Sequence, residues 1–139
     1  MSDANALPPE LDMSNTLLQL MGIIVVQASP ERVVATMPVK GNTQPYGLLH
    51  GGASCVLAES VGTIGAALHA AGFGMGAVGI DLNATHHRAV RDGHVTAVAN
   101  AIHLGRTTAS YEIVITNDLD KRICTARLTC QLIPIPPNQ

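Results

Sequence analysis

Tryptophan is absent, and two tyrosines and one phenylalanine are the only aromatic residues among 139. Any cavity must therefore be lined mainly by aliphatic side chains, which neither selects nor excludes an aromatic ligand. Charge is also scarce, 13% of residues against 47% hydrophobic. That balance excludes a disordered or tail-like chain and predicts a tight core. The net charge is −2 and no cluster of lysine and arginine stands out, so the footprint of a nucleic-acid binder is missing. Cys55, Cys124 and Cys130 form no C-x-x-C pair; free buried thiols are expected rather than zinc or redox work. Met1 to Leu11 carries acids and prolines where an export signal needs a basic start and an apolar run. A cytoplasmic location is expected. The length suits one domain, residues 1–139.

Met13, Leu17, Leu20 and Met21 recur at helical spacing behind the candidate cap Asp12, which predicts a short helix over Pro9 to Met21. Gly22 to Gln27 and Arg32 to Val39 are rich in β-branched residues and flank Ala28-Ser-Pro-Glu31, a hairpin pattern. Lys40 to Leu49 reads as a loop broken by Gly41, Asn42, Pro45 and Gly47. Gly52 to Ala71 is helix-forming and apolar or small on every side, which predicts a helix buried all round. Glu59, His69 and many small residues interrupt that stretch, so a membrane span is not expected. After the turn Gly72 to Gly76, strands are predicted at Ala77 to Thr85, His94 to Leu104, Thr107 to Asn117 and Arg122 to Ile133, with turns at Arg91 to Gly93 and Asn117 to Asp120. Pro134, Pro136 and Pro137 should end the last strand. The order predicts an α+β fold, an antiparallel sheet of about six strands wrapped around one long helix, which is the hotdog architecture.

Glu59 is the one acid in that helix. An ionised carboxylate is costly to bury without a partner, so either it does chemistry or it is a helix-face glutamate that reaches water or an internal cation. The segment Leu48-Leu-His-Gly-Gly52 opens the helix. Unpaired backbone N–H groups and the positive end of the helix dipole favour a developing oxyanion there, and glycine lets a carbonyl approach. Eight positions separate Gly51 from Glu59, roughly 12 Å along a helix. Both can act on one carbonyl only if each comes from a different subunit, with the two helices antiparallel across a two-fold axis.

The run Gln44-Pro-Tyr-Gly-Leu-Leu-His-Gly-Gly-Ala-Ser-Cys-Val-Leu-Ala-Glu-Ser-Val-Gly62 resembles the signature of hotdog-fold acyl-CoA thioesterases, among them most the bacterial dihydroxynaphthoyl-CoA and phenylacetate-pathway type. The resemblance spans about Gly22 to Leu132. It implies that Glu59 is nucleophile or general base, that the Gly51 N–H polarises the thioester carbonyl, and that Gln44, His50 and Thr63 support them. Gln44 would donate to the substrate or position water, His50 would transfer protons or orient the loop, and Thr63 would bond the carboxylate or the water. Asn83-Ala-Thr-His-His-Arg88 and His103-Leu-Gly-Arg-Thr-Thr108 look like the family's CoA-facing segments, with Arg88 and Arg106 suited to phosphates, His86, His87 and His103 to donation or stacking, Gly105 to backbone access, and Thr107 a further CoA-binding candidate. Taken alone, each of these basic residues is more often a solvated surface charge. By resemblance Gly79 lines the pantetheine or acyl channel.

The implied activity is hydrolysis of an aromatic or medium-chain acyl-CoA, with CoA part of the substrate and no cofactor. A dimer is needed for the site, and the family implies a homotetramer. His86 and His87 are adjacent in a predicted strand, their side chains on opposite faces, and no metal motif occurs, so metal catalysis is not expected. Ser54 and Cys55 lack the Gly-x-Ser-x-Gly turn of a serine hydrolase. Leu57, Val61, Phe73 and Met75 are candidates to shape the acyl pocket. A hotdog hydratase or dehydratase built on His50 and Glu59, or a non-catalytic acyl-CoA binder, remain the competing readings.

Overall fold

The computed structural model describes residues 12–135. The predicted helix start at Pro9 to Leu11, the Met1 to Leu11 stretch and the Pro136–Pro137 tail lie outside them. The first helix, α1, is a single turn over Leu17–Leu20, shorter than the spacing predicts. Asp12 is not its cap: its carboxylate accepts from the Ser14 N–H at 2.9 Å and from the Ser14 hydroxyl at 2.5 Å. Such short polar side chains offer the backbone an alternative to helix, and Asn15 takes a left-handed φ of 59°. Thr16 caps the helix instead, its side chain accepting from the Gln19 N–H.

Gly22 turns out of α1 with φ +75°, so β1 begins only at Ile24 and runs Ile24–Ala28. It pairs antiparallel with β2, Arg32–Pro38. The long helix α2 spans Gly51–Ala71, and β3 (Met75–His86), β4 (His94–Leu104), β5 (Thr108–Thr116) and β6 (Arg122–Pro134) follow. Pro134 is therefore the last strand residue, opposite Met75. The sheet order is β1-β2-β4-β5-β6-β3, with every neighbouring pair antiparallel. Between β2 and β3 the chain must cross the whole sheet, and α2 makes that crossing while touching all six strands.

The strands alternate apolar-in and polar-out, so Val33, Ala35 and Met37 of β2, Val95, Ala97 and Ala99 of β4, and Tyr111, Ile113 and Ile115 of β5 meet α2 with no exposed surface. Small residues let helix and sheet approach. A Cβ on Gly62 would come 2.5 Å from Leu128 Cδ2, and one on Gly65 would come 2.8 Å from the Tyr111 ring. Burial of α2 is nevertheless one-sided. Ala53, Ser54, Leu57, Ala58, Val61, Ile64 and Ala66 face the sheet, whereas Gly52 and Glu59 are exposed and Val56, Ser60, Thr63 and Ala67 half-buried. Helix-forming small residues all round the axis hide this asymmetry in the sequence. The open stripe lies beside β3, an edge strand with Val78 and Ile80 exposed. Of the pocket candidates, Leu57 and Val61 are core residues with no exposure, and Phe73 stands outside at the end of α2.

Candidate active site

The loop before α2 is fixed by its own polar groups. Asn42 Nδ2 donates to the carbonyls of Met21 and Pro38, each at 2.8 Å, and its own carbonyl accepts from the His50 N–H at 2.9 Å. Gln44 N–H donates to Leu48 O at 2.8 Å, and Gly47, with φ +80°, donates back to Gln44 O at 2.9 Å. The Gln44 side-chain oxygen accepts from the Tyr46 N–H. A backbone N–H can only donate, so the amide orientation follows: the Gln44 oxygen faces Tyr46 and its NH₂ is left to offer as a donor.

His50 is the N-cap of α2. Its Nδ1 accepts from the Gly52 N–H at 2.8 Å, which places the ring proton on Nε2. Gly51, the first helical residue, has an N–H with no acceptor among the described residues, as expected at the first turn. A Cβ there would come 3.0 Å from His86 Nε2, so the imidazole of His86 lies against Gly51. Around this point is a cavity of about 350 Å³ lined by Gln44, Leu48, Leu49, Gly51, Ser54, His86, His87, Arg88, Ala89 and Ile123. His87 and His86 both reach it because β3 ends at His86, releasing His87 from strand geometry; His87 Nε2 meets Thr125 Oγ1 at 2.9 Å.

Glu59 occupies a second cavity of about 220 Å³ with Met13, Leu18, Ser60, Thr63 and Ile64. In the single chain it is exposed. A Cβ on Gly79 would lie 2.5 Å from Glu59 Oε1. Gly79, at a bulge in β3, therefore seats the carboxylate. Thr63 shares the cavity, but its hydroxyl faces Cys130 Sγ at 3.9 Å rather than Glu59. Burial and the charge of Glu59 both push the Cys55 thiol up, which leaves it a poor nucleophile.

The two basic segments do not converge in one chain. His86 to Arg88 stand at the start of α2. The second segment stands at its end, where His69 Nε2 bonds Gly105 O at 2.6 Å and the Arg106 guanidinium lies 5.9 Å from the Phe73 ring centre. His103 folds over Gly105, and Thr107 O accepts from the Leu132 N–H at 2.9 Å. Eighteen positions of α2, roughly 27 Å, lie between Gly51 and His69. Sequence order gives no measure of such a separation.

A profile of the thioesterase superfamily matches residues 46–124, more than half of the chain and the stretch holding Gly51, Glu59 and Gly79. The chain belongs to the thioesterase superfamily. It is 47% identical over 122 residues to PA1618 of Pseudomonas aeruginosa, spanning 87% of this chain and 84% of that protein. The crystal structure of a variant of thioesterase PA1618 superposes with a TM-score of 0.84 at 44% identity, covering 88% and 89% of the two chains. Thioesterase HI1161 of Haemophilus influenzae gives 0.82 at 37%, covering 91% and 89%. Thioesterase SAV0944 of Staphylococcus aureus, again as a variant, gives 0.81 at 34%, covering 85% and 98%. The hotdog fold and the enzyme class, thioester hydrolase, follow.

For this thioesterase sequence reasoning gave no lining role to Met13, Leu18, Leu48, Leu49 or Ser54. Met13 and Leu18 roof the Glu59 cavity from a distant part of the chain, for which the sequence has no signal. Leu48 and Leu49 stood inside the quoted signature. Ser54 is buried yet lines the Gly51 cavity.

Proposed function

We propose that this thioesterase hydrolyses acyl-CoA at a site shared by two chains, with Glu59 of one protomer acting on a carbonyl polarised by the Gly51 N–H of its partner. One observation carries the reading: each chain holds an acceptor half and a donor half in separate cavities. The donor half comprises the Gly51 N–H, the Gln44 NH₂ and the basic mouth of His86, His87 and Arg88. The other half has the free carboxylate of Glu59. Antiparallel pairing of the open α2 stripes, with the exposed edge of β3 extending the sheet, brings unlike halves together.

Glu59 then attacks the thioester directly or takes a proton from water, while the carbonyl oxygen gathers charge against the Gly51 N–H and the Gln44 amide. The basic mouth suits CoA phosphates. Relatives support the choice of residues. SAV0944 has been solved with a glutamine and, separately, a glutamate replaced by alanine, fifteen positions apart, the interval between Gln44 and Glu59. The acyl group is aromatic or of medium chain length. A hydratase built on His50 would need that ring paired with an acid, and its Nδ1 is committed to Gly52.

Gly51→Pro and Glu59→Gln test this. Proline fits the first helical position and removes the N–H, and His50 already has the extended backbone, φ −66° and ψ 130°, that a following proline requires. Each variant should lose about a hundredfold or more in kcat on benzoyl-CoA and hexanoyl-CoA. Co-expressed, they form mixed dimers with one intact site, so about a quarter of wild-type activity returns on random pairing. Absence of recovery, with mixed dimers shown by native mass, refutes the shared site.

A further inference from the structure

Ser54 is 2% exposed and stands three residues after Gly51, on the same face of α2. Its N–H is used within the helix, donating to His50 O at 3.2 Å. Its hydroxyl has no partner among the described side chains or backbone, yet among the described residues no fully enclosed side-chain oxygen lacks one. Both facts fit a hydroxyl that opens into the cavity Ser54 helps to line. A hydroxyl so placed exchanges bonds to water for bonds to whatever fills the cavity, and an apolar occupant leaves it unpaired at a cost.

The cavity has a direction. Its mouth is exposed and basic, formed by His86, His87 and Arg88, and its floor is Ser54 with the buried Ile123 and half-buried Leu49. Gly51 lies between them. If the proposed acyl-CoA chemistry holds, a thioester gripped at Gly51 sends its pantetheine arm out through the mouth, with the phosphates beyond it, and its acyl group to the floor.

We infer that Ser54 is a specificity-determining residue, its buried hydroxyl selecting acyl groups that carry a hydrogen-bonding oxygen, a hydroxyl or carbonyl, over plain hydrocarbon acyl groups of the same size. This rests on the acyl-CoA reading above. The aliphatic remainder of the floor, Leu48, Leu49 and Ile123, makes no such distinction, so the whole preference resides in one side chain.

The test compares kcat/KM of the full-length wild type and Ser54→Ala on two matched pairs, 3-hydroxyhexanoyl-CoA against hexanoyl-CoA and 4-hydroxybenzoyl-CoA against benzoyl-CoA. In at least one pair the wild type should favour the oxygenated member. Ser54→Ala should lower kcat/KM for that member by about three- to tenfold relative to its hydrocarbon counterpart, the worth of one neutral hydrogen bond. Alanine is the better helix former and leaves no partner unpaired, so the variant folds, which an unchanged melting temperature verifies. An equal fall on both members of each pair places the hydroxyl against the pantetheine arm or the scaffold and overturns the inference. So does a preference that survives the substitution, or a wild type that favours neither member. Wild type inert on all four compounds overturns the acyl-CoA reading itself, a result distinguishable from the others.

Discussion

Gly79→Ala separates seating of the carboxylate from stability of the fold. The added methyl would lie 2.5 Å from Glu59 Oε1, 3.4 Å from Leu128 Cδ1, and against no backbone atom. Leu128 is already at ordinary contact distance, so the glutamate must yield. Moving Oε1 from 2.5 Å out to 3.4 Å displaces it by about 0.9 Å, and a misplacement near 1 Å costs about a hundredfold in rate. Gly79 does not have a left-handed φ, so alanine brings no backbone strain and should gain about 0.5–1 kcal/mol from reduced freedom of the unfolded chain. The expected result is therefore a kcat lowered about a hundredfold in a protein that melts no lower than wild type, with kcat measured by thiol release and melting by circular dichroism. Full activity in Gly79→Ala would show that Glu59 does not act from this seat. A loss matched by a fall in melting temperature would assign Gly79 to packing alone.

His50→Ala removes the cap on the Gly52 N–H and should cost about 1 kcal/mol, or about 4 °C in melting temperature. His50→Asn keeps an acceptor and should restore it; a melting temperature indifferent to both would dismiss the cap. Gly62→Ala drives a methyl to 2.5 Å from Leu128 Cδ2 in the fully buried core, and should lower stability by about 1–3 kcal/mol in urea titration; an unchanged midpoint would show that helix and sheet can separate freely. Burial, with a smaller contribution from Cys55, pushes the Cys124 thiol up to about 11 from its ordinary 9. The folded state thus holds that proton more tightly than the unfolded chain. Stability should be complete below pH 9 and decline as pH rises through 11, less steeply in Cys124→Ala; equal slopes would count against the assignment.

The fold was readable because its two periods are distinct. The starts of β4 and β6 at His94 and Arg122 match the predicted ones, and the Gly51–Ala71 helix starts one residue before the predicted Gly52 and ends where predicted. Local polar chemistry defeated the first helix, where Asp12, Ser14 and Asn15 fold back on the backbone. The open stripe of α2 escaped notice because alanine, glycine and serine occur on its covered and uncovered sides alike. Within the candidate site, Gln44 and Gly51 line one cavity, since a short loop and a helix start keep neighbours close. The two basic segments do not, because a helix about 30 Å long stands between strand ends that sequence alone leaves undistanced.

The helix that crosses the sheet has one further consequence. A lone protomer, on the proposed pairing, carries both poles of the reaction with the length of two helical turns between them, and closes no circuit. Freshly synthesised chains would then be silent toward thioesters until they find a twin, and hydrolysis would switch on with protein concentration.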